Sequence, residues 1–241
     1  MKFNKFIIFD ISGEFAHFRK FNTTTSPLTY PVPPRTTLTG MLGAIIGLDR
    51  FSFYEIFSRE KAFIAVQVIN PIRKTSHAFN LIDTKKSFFN IANRTQIEFE
   101  LIQNARYRIF VSVLDKKIYS DLKKNISLNQ THFTPYLGLS QFTAKIDFIE
   151  EAEGINKEAN NYEDIITVLN LSHCKKEKPI EFDYTSKYSS NTMAIEMELE
   201  ENKKRIVTEF ADVLVELDGR PIKAFVENYI HIENFGNIKE Y

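Results

Sequence analysis

The sequence contains one cysteine, no tryptophan and no long apolar run, and each absence excludes a class of protein. With Cys174 as the only cysteine among 241 residues, an internal disulfide and a thiolate metal cluster are both excluded. Such sparse cysteine usage is typical of a reducing compartment. The apolar run at residues 38–48 is too short to span a bilayer, and no stretch has the order of a signal peptide. We therefore expect a soluble, cytoplasmic protein without membrane contact.

Sequence motifs for cofactors and for common catalytic sites are also missing. There is no GxxxxGK[ST] phosphate loop, no GxGxxG turn and no GxSxG elbow. None of the five histidines has metal-ligand spacing with another ligand. His173 and Cys174 are adjacent, and adjacent side chains on a strand point to opposite faces, so they would make a poor chelate. We therefore predict neither a cofactor nor a metal.

The net charge is zero, but the charge is unevenly distributed. Residues 1–110 hold 15 Lys and Arg against 8 Asp and Glu, whereas residues 111–241 hold 16 against 23. A basic first half favours binding of a polyanion by that half alone, and chance distribution over an ordinary solvated surface is the alternative.

Residues 31–48, PVPPRTTLTGMLGAIIGL, form the most unusual stretch of the sequence. The spacing of its large apolar residues predicts a helix that starts at Pro34. Each of its three glycines would cost about 0.5–1 kcal/mol in a helix interior, so a closely packed sheet or a ligand should lie against them. Arg35, Thr36 and Thr37 would lie at the positive end of this helix, which favours a phosphate.

The first 149 residues read as strand, helix, strand, two hairpin strands, helix and strand. This order predicts an α+β fold, a ferredoxin-like βαββαβ sandwich with helices on one face of an antiparallel sheet and the other face open to a ligand. The predicted strands are residues 5–11, 62–69, 96–103, 106–115 and 145–149, with a tight turn at 104–105, an interruption at 12–13 and a second helix at 116–125.

Two basic segments are candidates for RNA contact. In residues 14–21, Phe15, His17, Arg19 and Phe21 would share one face of a strand, and Lys20 follows Arg19; this resembles an RNA platform, or else a plain core strand. Residues 73–94 carry five cations and one acid among three phenylalanines, which favours a protruding binding arm over a mobile loop.

The second half reads as a separate region. Residues 150–163 are acidic and asparagine-rich and form the best linker candidate. We therefore predict one domain at residues 1–149 and a small acidic antiparallel β region at residues 150–241.

Metal-independent RNA cleavage is an alternative that the residues leave open. His17 with Tyr30 and Lys20 could supply the base and the acid that such cleavage needs, but their spacing does not enforce it.

Three segments resemble a known family. FAHFRKFNTT at residues 15–24, the stretch at 31–48 and TPYLGLSQFTA at 134–144 are similar to the Cas-five subunits of type I CRISPR effector complexes, most of all type I-B. That family belongs to the RAMP superfamily, and its ferredoxin-like fold agrees with the fold predicted from the residues.

The resemblance implies an antiviral role in the prokaryotic cytoplasm, within a ribonucleoprotein called Cascade. The chain would bind and cap the 5′ handle of the guide RNA. A thumb at about residues 70–95 would contact the backbone subunit. The large PAM-reading subunit, and target DNA within the complex, would lie nearby. In the type I-C branch the same subunit processes precursor guide RNA; likeness to type I-B favours no catalysis and no catalytic residue. The predicted RNA contacts are His17, Arg19, Lys20, Arg35, Thr36, Thr37, Arg73, Lys74, Lys85, Lys86, Arg94, Arg106 and Arg108.

Overall fold

The structure is a computed structural model that describes residues 3–23, 25–82, 94–175, 177, 179–200 and 203–241. The described residues form a mostly β, mixed α+β fold. The helices are Arg35–Ile46 (α1), Phe53–Ile56 (α2) and Lys116–Ser127 (α3). The strands are Lys5–Ala16 (β1), Phe18–Arg19 (β2), Thr29–Tyr30 (β3), Ala62–Val68 (β4), Arg73–Ile82 (β5), Arg94–Val113 (β6), Lys145–Glu158 (β7), Glu163–Ile165 (β8), Leu169–Asn170 (β9), Ile180–Glu181 (β10), Tyr188–Leu199 (β11), Arg205–Glu216 (β12), Ile222–Ala224 (β13), Asn228–Ile232 (β14) and Gly236–Ile238 (β15).

Strand β1 is an inner strand of the largest sheet, whose order is β10-β13-β8-β15-β14-β7-β1-β6-β4. It pairs antiparallel with β6 on one side and with β7 on the other. Residues 6–11 are buried on both faces, as their continuous apolar run predicts. The predicted interruption at residues 12–13 is wrong, because Ser12 and Gly13 keep their partners in β6 and the strand continues to Ala16.

Strand β6 is one continuous strand of 20 residues, so the hairpin predicted around residues 104–105 is wrong. Its first half pairs with β5 and its second half with β4, while β1 runs along both halves. Asn104 has a positive φ of 49° at the point where β6 changes partner. The local turn signal is real, but the continuous ladder with β1 carries the strand through it.

Strands β5 and β6 form a largely exposed two-stranded ladder that ends at the pair Ile82–Arg94. Residues 83–93 follow this pair and lie outside the described residues. In the described residues, the predicted arm therefore begins as two paired, largely exposed strands.

Helices α1 and α3 pack on one face of the sheet, and α3 is capped by the Asp115 carboxylate, which accepts the amides of Lys117 and Ile118 at 2.8 and 3.0 Å. The prediction for the glycines of α1 needs correction. A Cβ on Gly43 would lie 3.0 Å from the Phe53 side chain, so the close neighbour of this glycine is α2 and not the sheet. Gly47 is outside the helix and ends it with a φ of +76°.

The opposite face of the sheet is partly covered, so the prediction that it is open to a ligand is wrong for this part. Phe6, Ile8 and Phe110 pack there against Ile232 and Ile238 of the C-terminal strands. The predicted linker at residues 150–163 is also wrong, because β7 continues to Glu158 and pairs with β14. The proposed boundary between residues 149 and 150 falls inside this strand.

Strands β11 and β12 form a long hairpin that returns to the helical face. Met193 and Ile195 of β11, with Val213 and Val215 of β12, are buried in the same core as α1. The acidic second half of the sequence therefore contributes one wall beside α1. Among the described residues, no helix has both the length and the apolar composition needed to cross a membrane.

Candidate functional site

A cleft of about 530 Å³ opens at the N-terminal end of α1. Its lining comes from five parts of the chain: strand β2, the first turns of α1, residues 50–54, the loop at residues 134–139, and the end of the β11–β12 hairpin. The site is therefore built jointly by the basic first half and the acidic second half.

The segment that leads into α1 is held by tyrosine hydroxyls. Prolines donate no backbone hydrogen bond, but their carbonyl oxygens still accept. The Tyr107 hydroxyl donates to the Pro31 carbonyl at 2.8 Å, and the Tyr241 hydroxyl donates to the Pro33 carbonyl. Burial raises the pKa of both tyrosines, which keeps both hydroxyls protonated as donors. This pinning fixes the position of the helix N-terminus.

Arg35 is an internal anchor and not a surface cation, which corrects its predicted role as a phosphate contact. The residue is 2% exposed. Its Nη2 donates to the carbonyls of Phe57 and Ala62 at 2.9 and 3.0 Å. Its Nη1 lies 3.4 Å from the Ile195 carbonyl and 3.5 Å from Glu196. Burial lowers the pKa of Arg35 to about 10, although the nearby Glu196 carboxylate acts in the opposite direction. Arg35 joins α1 to β4 and β11.

Thr36 and Thr37 line the cleft and are partly exposed, so the structure places them at the predicted helix end. Pro34 precedes α1, and no side chain caps the helix. The amides of Thr37 and Leu38 donate to the Pro34 carbonyl at 2.9 and 3.2 Å, so the first turn leaves those of Arg35 and Thr36 without an acceptor in the helix, beside two hydroxyls at the positive end of the helix dipole.

Three exposed arginines surround this helix end: Arg19 on β2, Arg50 between α1 and α2, and Arg205 on β12. Arg19 donates to the Thr23 carbonyl at 3.0 Å, and the Arg50 guanidinium lies 4.8 Å from the Phe51 ring centroid. The described residues that line the cleft include no carboxylate. The cleft is therefore strongly cationic.

Sequence reasoning identified Arg19 but missed Arg50 and Arg205. Arg50 follows the glycine that ends α1, and the short turn back through α2 brings it to the cleft. Arg205 belongs to the half with the negative balance, and counting charge by halves concealed it. The alternation of apolar and acidic residues at 195–200, just before Arg205, was a signal for a strand. The position of the β11–β12 hairpin over α1, however, depends on tertiary packing.

The loop at residues 134–139 forms another wall, and Gly138 fixes its approach. Gly138 has a φ of +93°, and a Cβ there would lie 1.8 Å from the His17 carbonyl oxygen. The His17 amide also donates to the Leu137 carbonyl at 3.0 Å. The loop is therefore held against the chain just before β2, and a side chain at position 138 would push it away.

His17 is 1% exposed, and its Nδ1 lies 2.8 Å from the Glu100 carbonyl oxygen. Its ring packs edge-on against Phe99 at 5.2 Å, and its Nε2 is buried without a hydrogen-bond partner among the described residues. Burial is the main cause that lowers the pKa of His17, so the ring is neutral near pH 7. The residue is packed into the wall of the cleft.

The other members of the alternative cleavage triad have partners inside the protein. The Tyr30 hydroxyl donates to the Thr192 carbonyl at 2.8 Å, and Lys20 Nζ donates to Asn191 Oδ1 at 2.7 Å. Burial, followed by the charge of Lys74, lowers the pKa of Lys20. These contacts link the first 30 residues to β11.

The predicted cations of the arm lie away from the cleft lining. Lys74 Nζ donates to the Thr29 carbonyl and pairs with Glu100, both at 3.1 Å. Arg73 and Arg94 are exposed at opposite ends of the β5 ladder. Lys85 and Lys86 lie outside the described residues.

Arg106 and Arg108 lie on the opposite face of the sheet from α1. Both pair with the fully buried Asp10 carboxylate at 2.8 Å. They therefore neutralise a buried charge, and the structure does not bring them together with the cleft. Among the described residues, no group of three or more His, Cys, Asp or Glu side chains could hold a metal ion.

Three solved structures share the fold of this chain at low sequence identity. A crystal structure of a CRISPR protein from Archaeoglobus fulgidus has a TM-score of 0.59 and 12% identity, with 98% of this chain and 100% of that chain covered. A chain of a CRISPR RNA-guided surveillance complex has a TM-score of 0.57 and 11% identity, covering 90% and 91%. A chain of the type III-B Cmr-beta complex bound to cognate target RNA and AMPPnP has a TM-score of 0.51 and 12% identity, covering 90% and 86%.

Comparison with curated protein sequences gives no match. The model of the family described as CRISPR-associated protein (Cas_Cas5) matches residues 6–208. The match includes all of β1 after its first residue, the whole of α1 and the hairpin residue Arg205, so every part of the cleft lies within it. The chain therefore belongs to the Cas_Cas5 family of CRISPR-associated proteins.

Proposed function

We propose that this protein is a non-catalytic RNA-binding subunit of a type I CRISPR interference complex, and that its cleft holds the 5′ handle of the guide RNA. The observation that carries the proposal is the cationic cleft at the N-terminus of α1. There, three exposed arginines and two threonine hydroxyls surround the positive end of the helix, and the described lining holds no carboxylate.

The chemistry of this cleft matches a single-stranded RNA backbone. Arginine guanidinium groups and helix amides bind phosphate oxygens. Threonine hydroxyls can both donate to phosphate and accept from a ribose 2′-hydroxyl. A strand held in one conformation needs several such contacts together, and four separate chain segments supply them here.

The fold supports the same assignment. The order β7-β1-β6-β4 with antiparallel pairing, and α1 and α3 on one face, supports a ferredoxin-like arrangement. The exposed β5–β6 ladder is the element that we propose as the thumb. Its position away from the cleft would let it contact the backbone subunit while the cleft holds RNA. The large PAM-reading subunit, the type I-B assignment and the cytoplasmic location remain parts of this proposal.

The internal contacts of the candidate triad support a binding role without cleavage. A general base must reach the 2′-hydroxyl proton, directly or through one water. His17 is buried on Phe99, and Tyr30 and Lys20 are bonded to β11. Incubation of the protein with repeat RNA in EDTA should therefore leave the RNA intact. Specific cleavage that is abolished by His17→Ala would overturn this part of the proposal.

The test of RNA binding is retention of guide RNA in the purified complex. A triple variant with Ala at Arg19, Arg50 and Arg205 should assemble with its protein partners but lose guide RNA at moderate salt. Arg220→Ala is the matched control, because Arg220 is an exposed arginine outside the cleft. Equal RNA retention by the triple variant and the control would contradict the proposal.

A further inference from the structure

Two exposed phenylalanines meet from distant parts of the chain, and each follows a cleft arginine in sequence. Phe21 is 65% exposed and Phe210 is 48% exposed, yet their ring centroids lie 5.3 Å apart with an interplanar angle of 53°. Phe21 follows the cleft residue Arg19 by two positions, and Phe210 follows the cleft residue Arg205 by five on strand β12. The pair therefore joins the two chain segments that carry arginines into the cleft.

The position of each ring is fixed by its backbone. Phe21 lies in a turn where the Thr23 hydroxyl donates to the Lys20 carbonyl at 2.9 Å. Phe210 alternates along β12 with Ala211, which is buried in the core, so its ring faces outward. The tilt between the rings rules out a mutual stack, and much of both rings faces solvent. A water-exposed aromatic pair on rigid backbone is a costly arrangement that a ligand would relieve.

The surroundings of the pair favour RNA as that ligand. Arg19 and Lys20 precede Phe21 directly, and Arg19 lines the cationic cleft. Two acids lie near Phe210 in sequence, and both have partners: Glu209 pairs with Arg59 at 2.7 Å, and the Asp212 carboxylate accepts the Thr192 hydroxyl at 2.6 Å. Surfaces that bind single strands combine a cationic track for the backbone with aromatic rings for the bases.

We propose that Phe21 and Phe210 form a base-stacking step, on which an unpaired base stacks when its phosphates occupy the cleft. This inference rests on the proposed RNA binding and adds to it, because it assigns the bases a site that the arginines do not supply. Stacking on one aromatic surface contributes about 1–3 kcal/mol per base. Loss of one stacked base should therefore weaken binding about 5- to 150-fold.

The test compares two fluorescein-labelled probes of equal charge, an octaadenylate RNA and an octamer of abasic ribose phosphates. The full-length protein should bind octaadenylate more tightly by at least about 5-fold. The double variant Phe21→Leu, Phe210→Leu keeps two apolar side chains but has no aromatic ring at either position. It should lose this preference and bind the abasic octamer as the parent does. Because both side chains are exposed, its thermal midpoint should stay close to that of the parent.

The control variant is Phe182→Leu, since Phe182 is 53% exposed and packs on Tyr188 away from the cleft. It should keep the preference for bases. If the double variant keeps the full preference, or the parent binds both probes equally, the stacking step is wrong while RNA binding stands. If the parent binds neither probe, the proposed function fails and takes the stacking step with it.

Discussion

Replacement of Arg35 by methionine removes a buried guanidinium while it keeps most of the side chain's length. Arg35 donates to three carbonyl oxygens, of Phe57, Ala62 and Ile195, and lies beside Glu196. The substitution removes this donor from the three carbonyls and leaves the partly buried Glu196 carboxylate with the Arg59 amide at 3.0 Å but without the arginine charge. Each orphaned acceptor costs about 1–3 kcal/mol, and removal of one partner of a buried charged pair typically costs about 3–5 kcal/mol.

Methionine is neutral, so the variant avoids the free-energy cost of burying a charge, and this offsets part of the summed loss. We therefore expect Arg35→Met to lower the free energy of unfolding by about 3–5 kcal/mol. For a chain of this size, each kcal/mol lowers the melting temperature by about 2–4 °C, which gives a fall of about 6–20 °C. Thermal unfolding followed by circular dichroism measures it. The matched control is Arg19→Met, which removes an exposed guanidinium and should hardly change the melting temperature.

The two variants should also differ in RNA binding. Arg19→Met should weaken the affinity for repeat RNA at an unchanged melting temperature. If Arg35→Met leaves the melting temperature unchanged but weakens RNA affinity, then the arginine faces the ligand and our account of α1 is refuted.

Three further predictions concern other parts of the fold. Asp10→Asn should lower the free energy of unfolding, measured by urea denaturation, by about 1.5–3 kcal/mol, because two partly exposed arginines would lose charge-assisted hydrogen bonds to a buried carboxylate; a loss below about 0.5 kcal/mol would contradict the buried pairing. Gly138→Ala should displace one wall of the cleft and weaken RNA affinity, since its Cβ would meet a carbonyl oxygen at 1.8 Å; unchanged affinity and stability would show that the loop is not held there. Burial and nearby cations lower the pKa of His173 from 6.5 to about 4. Between these pH values the unfolded chain binds one more proton than the folded chain, so the stability of the fold decreases as pH drops from about 6.5 to 4. His173→Gln should flatten this part of the stability profile, and an identical profile would refute the assignment.

The elements that the sequence predicts correctly are those set by local patterns. The apolar run at the start of β1 and the run of β4 are buried strands, and α3 begins after the capping residue Asp115. Helix α1 follows from its apolar spacing and its proline. In each case the residues that decide the structure lie within one segment.

The elements that the sequence predicts wrongly depend on distant partners. Residues 104–105 carry a turn signal, but β1 pairs across them and keeps β6 continuous. Residues 150–158 have a linker's composition because most of their side chains are exposed, yet β1 and β14 use their backbone as a shared strand. Composition reports exposure and does not report backbone pairing.

The candidate site divides in the same way. Thr36, Thr37 and Arg19 could be reached from the sequence, because a helix N-terminus and a basic strand have local signatures. Arg50 and Arg205 could not, because they join the cleft through α2 and the β11–β12 hairpin. Sequence also does not separate a buried arginine from an exposed one, which is why Arg35 was misassigned.

The most direct test of RNA binding in the cleft is the salt dependence of affinity for single-stranded repeat RNA. Each phosphate contact contributes about −0.7 to the slope of log affinity against log salt for a single strand. Loss of Arg19, Arg50 and Arg205 together should therefore make the slope shallower by about 2, whereas Arg220→Ala should leave it unchanged. If the triple variant keeps the parent's slope and affinity, the phosphates are bound elsewhere and the cleft is not the RNA site.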